Sequence, residues 1–260
     1  MGIKRENGIF ESNDGLTEVL DFTITLGVML LAVAIIGIAG YPMISHMKDM
    51  GHLGNMEQGF SVMKLNLNKI VYGKAPSQSV ELKMYGGTVS VTGTSYINVS
   101  MQVWNESLAA HDIISVERQM RMVENEFKDN YIGYENSAVW ARYPQGRSIS
   151  ISEPEFAFDD KTLLIPMVTI SGIDGVSGSG LIRIVADGGQ SSVNKFENVS
   201  QVNITIESEY YEGWEKYLDD NIGMEIVQKD IANNTIAATG TYSPEIDVLI
   251  AISPMNIKVE

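Results

Sequence analysis

The sequence predicts an α+β protein: a long N-terminal helix, hydrophobic and then amphipathic, followed by a predominantly antiparallel, β-sandwich-like domain. Three observations predict it. No charged residue occurs from Phe22 to Ile44. Beyond Pro42, apolar residues recur at gaps of three or four as far as Ile70. After residue 75, short segments alternate apolar and polar positions between glycine- and proline-rich turns.

At 260 residues the chain is long enough for one well-buried domain and an additional element. Thirty-three acidic against 18 basic residues give a formal charge of −15. So acidic a surface repels nucleic-acid phosphates, and nucleic acid is not expected as a partner. There is no cysteine, which excludes disulfides and thiolate metal sites and leaves cytosolic and extracytosolic locations both open.

Residues 1–15 are short and polar, with Gly2, Gly8 and Gly15, and read as a leader. The long helix is expected over 16–72, with Thr17 as its cap and Glu18 and Asp21 facing the positive end of the helix dipole. Residues 22–44 would form a rod roughly 35 Å long, against a hydrocarbon core of about 30 Å. The apolar region of a secretory signal is shorter, about 7–15 residues. Residues 22–44 therefore read as a single membrane span in contact with lipid. Lys4 and Arg5 precede the span and only Lys48 follows closely, so the positive-inside rule places the N-terminus in the cytoplasm and the C-terminal domain outside. Asn98, Asn105, Asn198, Asn203 and Asn233 head Asn-x-Ser/Thr glycosylation triplets. A chain rich in Asn, Ser and Thr also produces such triplets by chance, so they support the outward orientation without fixing it.

Past Pro42 the apolar positions Met43, Met47, Met50, Leu53, Met56, Phe60, Met63, Leu67 and Ile70 form one stripe, expected as core packing. Gly51, Gly54 and Gly59 each weaken a helix by about 1 kcal/mol relative to alanine. The β-rich domain is expected over 73–260. Residues 79–91 read as a hairpin turning at Gly86-Gly87, and 95–104 as a strand. The charge-dense stretch 113–130 fits helix and strand equally. Residues 138–140 and 148–151 pair around Pro144-Gln-Gly146. Strands at 163–170 and 181–186 flank a flexible glycine-rich connector, 172–180. A strand at 202–207 precedes a short helix, 211–219, with Trp214, Tyr217 and Leu218 inward. Short strands at 225–228, 235–238 and 247–252 bring the expected total to about nine to eleven.

No constellation for catalysis emerges, and the chain is not expected to be an enzyme or to need a cofactor or metal. His46 and His52 are six apart and share no helix face, and no HExxH spacing exists. His111-Asp112 reads as a loop pair. Gly175-Val-Ser-Gly-Ser-Gly180 lacks the Lys-Ser/Thr of a phosphate loop and reads as a glycine-rich hairpin. Asp159-Asp160, Asp187 and Asp219-Asp220 read as solvated acidic turns without an oxygen-ligand pattern.

A polar leader ending at Gly15, then Leu16-Thr-Glu-Val-Leu-Asp21 and a long apolar run, resembles the N-terminus of archaeal type IV pilins and pilin-like surface proteins. Further landmarks of such a family are Ser79-Val-Glu-Leu-Lys-Met-Tyr-Gly-Gly-Thr-Val-Ser-Val91, Tyr134-Glu-Asn-Ser-Ala-Val-Trp140, Ser152-Glu-Pro-Glu-Phe156 and Ser208-Glu-Tyr-Tyr-Glu-Gly-Trp214. Asp14 stands where family leaders usually carry a basic residue. The resemblance implies cleavage between Gly15 and Leu16 by a prepilin peptidase. It also implies that Glu18, three residues into the mature chain, sets assembly register by pairing with a terminal amine. Two functions follow: a pilin-like subunit that exposes its β domain for filament assembly or adhesion with other such subunits, or a permanently anchored single-span binding protein or receptor.

Overall fold

The computed structural model describes residues 14–107 and 109–260. It shows one long helix followed by a large, mostly antiparallel sheet, the fold class expected from the sequence. Most of the leader lies outside the described residues. Helix α1 runs Asp14–Val71, so Thr17 sits inside it and not at its cap. The chain divides into two compact units, Met1–Leu53 and Gly54–Glu260, and the division falls within α1.

From Val19 to Met50 the large apolar side chains are exposed: Phe22 is 69%, Val33 67% and Ile38 78% accessible. Among the described residues, one helix is long and apolar enough to cross a membrane, and none of its most apolar window is buried. Exposure continues past the Phe22–Ile44 run through Met47 and Met50. The methionine stripe expected as continuous core is thus divided. Its first three members have no cover, while Met56, Phe60, Met63, Leu67 and Ile70 are buried. The reason for the burial is packing: these later turns lie on the sheet, where the position of a Gly59 Cβ comes within 3.0 Å of the Leu82 side chain.

The second unit contains the sheet. Strands β1 (Ser77–Thr92), β2 (Tyr96–Asn105), β3 (Ala110–Gln119), β4 (Met122–Phe127), β5 (Asn130–Glu135), β6 (Ala138–Arg142) and β7 (Ile149–Ser152) come first. After them come β8 (Ala157–Phe158), β9 (Thr162–Ser171), β10 (Gly175–Gly188) and β11 (Ser192–Glu207). Helix α2 (Tyr211–Asp220), β12 (Glu225–Asp230) and β13 (Thr235–Val259) complete the chain. The main path is β3-β2-β11-β13-β10-β1-β4-β5-β6-β7. Strand β13 also pairs with β12, and in parallel with β9, which carries β8. The 25-residue β13 meets β11 along two stretches and β10 near its end, so it ties the domain together. Alternation drives these pairings. In β11, Val202, Ile204 and Ile206 point into the core while Asn203 and Thr205 face the other way.

Several expectations change here. Among the described residues thirteen strands form, more than the nine to eleven expected, and most of 113–130 is resolved as β3 and β4. Residues 79–91 are not a hairpin but one strand, because both halves of β1 pair with β10. Gly86 (φ +118°) and Gly87 (φ +81°) make a bulge, a one-sided insertion that keeps the chain direction. At Gly87 an added Cβ would stand 2.0 Å from the Glu126 carbonyl oxygen of the neighbouring β4. Gly87→Ala is therefore expected to lose about 1–3 kcal/mol, read as a lower denaturant midpoint; an unchanged midpoint would show that β4 yields freely. The glycine run 175–180 is neither connector nor hairpin. It lies in β10 and pairs with β1, and β9 and β10 are not partners. Residues 235–238 and 247–252 belong to the same strand, β13. As expected, β6 pairs with β7, and α2 buries Trp214, Tyr217 and Leu218.

Candidate functional site

Three of the motifs singled out in the sequence meet around one buried carboxyl group. The β5–β6 turn has two consecutive left-handed residues, Asn136 (φ +45°) and Ser137 (φ +65°), as a two-residue hairpin of type I′ requires. Unlike most turns it is buried, with Glu135, Asn136 and Ser137 inaccessible. Its polar groups must therefore find partners inside the protein. Asn136 Oδ1 accepts the Val168 N–H at 2.8 Å. Ser137 Oγ accepts the Glu155 N–H at 3.2 Å, and the Trp140 indole donates to the Glu135 carbonyl at 3.3 Å.

The Glu135 side chain reaches the second motif. Trp214 Nε1 donates to it at 2.8 Å, and Ser208 Oγ lies 2.8 and 3.1 Å from its two oxygens. Ser208 Oγ also accepts the Tyr210 N–H at 3.0 Å, which shapes the entry into α2. Trp140 and Trp214 pack with ring centroids 4.7 Å apart, and Trp140 stacks on Tyr210. Gly213 is required at this contact, since a Cβ there would be 2.8 Å from the Trp140 ring.

The third motif links this cluster to α1. Lys64, only 5% accessible, donates to Ser152 Oγ at 2.9 Å and to the Glu153 carbonyl, and pairs with Glu155 at 3.0 Å. Tyr217 Oη donates to the Pro154 carbonyl at 3.0 Å, and Phe156 packs on Trp214 and Tyr217. Residues far apart in sequence thus fasten α1, the β5–β6 turn and α2 to one another.

Burial pushes the Glu135 carboxyl up to about 7, with the Trp214 and Ser208 hydrogen bonds pulling the other way. Burial also raises Glu124, whose carboxylate accepts the Tyr210 hydroxyl. A near-neutral carboxyl suits proton transfer in an accessible site. Here it is inaccessible and engaged by Trp214 and Ser208, an arrangement that orients α2 against the hairpin. Ser95 Oγ, also buried, lies close enough to favour the Glu135 carboxylate but does not complete a hydrogen bond of normal geometry. Ser95 and Ser208 form part of the wall of a polar cavity of about 470 Å³.

The residues expected to carry function are dispersed. Gly15 and Leu16 lie in the first turn of α1, and the Leu16 side chain lies outside the described residues. Glu18 is exposed on α1. Asn198 and Asn233 are exposed, and Asn105 ends β2, where it donates to Asp112 at 2.6 Å. Asn98 and Asn203 are half-buried within β2 and β11. Their triplets face each other, with Asn98 opposite Thr205 and Ser100 opposite Asn203. A two-residue side-chain period alone sets Asn and Ser/Thr at that spacing. His111 and Asp112 diverge: His111 contacts Glu245 at 3.0 Å and Asp112 contacts Asn105. Asp159 Oδ1 accepts the N–H groups of Lys161 and Thr162, so this acidic turn is closed on itself.

Glu135 and Lys64 were not recognised from sequence as central. Lys64 had a signal: it lies four residues after Phe60, on the edge of the buried stripe. Glu135 had a weaker one, as the start of a Glu-Asn-Ser run between apolar segments.

The architecture defines a class, a protein with an apolar N-terminal helix compatible with membrane anchoring and a large β domain closed around its own core. The chain belongs to DUF7289, a family of unknown function, whose profile matches residues 15–253. Two uncharacterized proteins of Archaeoglobus fulgidus are each 22% identical to it. One alignment covers 69% of this chain and 72% of the relative, the other 79% and 81%. No solved structure matches the chain significantly.

Proposed function

We propose that the protein is a non-catalytic, pilin-like subunit of the archaeal cell surface. In this reading prepilin peptidase cuts between Gly15 and Leu16, α1 holds the chain in the membrane and then joins neighbouring subunits, and the β domain faces outward for filament contacts or adhesion. The observation that carries it is the uncovered apolar surface of α1. From Val19 to Met50 its large hydrophobic side chains are exposed, although the β domain buries an extensive core of its own. Lipid or neighbouring helices would cover that surface. The family match, which opens at Gly15, and the archaeal relatives support the reading.

Sequencing the mature N-terminus tests the processing step: Leu16 is expected, and retention of Met1 would favour the permanently anchored receptor. Glu18→Gln is expected to keep normal expression and membrane insertion while abolishing recovery in surface filaments, because a neutral amide does not supply the charge that pairs with a terminal ammonium. Filaments formed normally by the variant would remove Glu18 from the mechanism.

A further inference from the structure

The sheet face opposite the core carries a ladder of polar side chains, most of them uncharged. Across β3, β2 and β11, Ser115, Ser100 and Asn203 stand in register, followed by Glu117, Asn98 and Thr205. Many of these groups are already held in place. Ser115 Oγ donates to Asn98 Oδ1 at 2.6 Å, and Thr239 Oγ1 donates to Asn203 Oδ1 at 2.6 Å. At one end the ladder opens into a hollow of about 310 Å³, lined by Tyr96, Asn98, Glu117, Thr205, Glu207 and Thr235. Tyr96 is 39% accessible. Glu207 also lines the cavity of about 470 Å³ described above, which contributes Glu209, Asn233 and the buried Ser95 hydroxyl. The one arginine in that cavity, Arg121, is committed to protein carbonyls, Gly172 at 2.7 Å and Val91 at 3.3 Å.

We propose that these adjoining hollows bind a neutral oligosaccharide through the Tyr96 ring, the Glu117 and Glu207 carboxylates and the Asn98 amide. An accessible aromatic ring offers an apolar face to the C–H surface of a pyranose. Carboxylates beside it accept sugar hydroxyl protons in charge-assisted hydrogen bonds, and an amide whose oxygen is already tied has its N–H groups to donate. The Asn98 amide, already held by Ser115, loses little freedom on binding. The net charge of −15 and the occupied guanidinium select against an anionic ligand. The proposal is independent of whether α1 is processed or polymerises.

The test is calorimetric titration of the full-length chain in detergent, produced in a host without N-glycosylation so that Asn98 and Asn233 are bare. The probes are cellohexaose, mannohexaose and N-acetylchitohexaose, with hexagalacturonate as the anionic control. Saturable binding of at least one neutral probe is expected, and none of hexagalacturonate. Tyr96→Ala and Glu207→Gln should each weaken that binding about tenfold or more while leaving the unfolding midpoint in place. Because both side chains are solvent-accessible, a folding defect in one leaves the other to decide. Absence of binding by all three neutral probes, wild-type affinity in both variants, or preference for hexagalacturonate would overturn the proposal.

Discussion

Glu135→Gln is expected to flatten the pH dependence of stability between about pH 4.5 and 7 and to leave the protein more stable than wild type at pH 8. In the unfolded chain the Glu135 carboxyl titrates near its ordinary value of 4.5, and in the fold near 7. Between these values the folded form holds a proton that the unfolded form has released. Stability then falls as pH rises, because protons bind preferentially to the folded state. A difference of that size corresponds to about 3 kcal/mol, present in full below pH 4.5 and lost above 7. Glutamine resembles the protonated acid: its oxygen can accept the Trp214 indole N–H, and its amide can donate to Ser208. The measurement is denaturant unfolding of the full chain in detergent at pH 5 and pH 8, followed by tryptophan fluorescence. Trp140 and Trp214 lie within the cluster and report on it directly. Parallel pH profiles for wild type and variant would refute the assignment. Glu135→Leu should behave differently, losing about 3–5 kcal/mol at both pH values, because it leaves the Trp214 N–H and the Ser208 hydroxyl buried without their acceptor.

The prominence of this carboxyl also shows what a linear reading can and cannot recover. The apolar run from Phe22 to Ile44 and the inward Trp214, Tyr217 and Leu218 of α2 were legible, because each pattern follows one local period. The Gly86-Gly87 pair was not. Two glycines between alternating segments suit a turn and a bulge alike, and only the shared partner β10 decides between them. The glycines of 175–180 misled for a related reason: backbone freedom suggests a loop, yet pairing with β1 holds them extended. The buried centre was hidden more deeply. A glutamate at the end of a strand is ordinarily solvated. What makes Glu135 internal is the approach of α2 and of the segment beginning at Ser152, supplied by residues up to 79 positions away. The sequence motifs marked the three contributors; their convergence is a property of topology.

Phe60→Ala is expected to cost the β domain about 3–5 kcal/mol, whereas Met47→Ala should change its stability by less than about 0.5 kcal/mol. Both residues belong to the same stripe on α1, and composition does not distinguish their roles. Phe60 is inaccessible and flanked on its face by Met56, Met63 and Leu67, each at most 4% accessible. Truncating it removes apolar burial and leaves a cavity that a sheet tied by β13 is poorly able to close. Met47 is 64% accessible, so truncation there removes little packing within the protein. The experiment is denaturant unfolding of both full-length variants in detergent, at a fixed pH, with the midpoint and slope compared to wild type. Comparable losses from the two substitutions would mean that the stripe is buried throughout and that α1 has no uncovered segment. Under the proposed reading, Met47 should instead affect a different quantity, recovery in filaments, since its cover comes from outside the chain. One helical period would then serve two environments: up to Met50 it faces lipid or neighbouring subunits, and from Met56 onward it forms part of a folded core held by Lys64 and the Ser152–Phe156 motif.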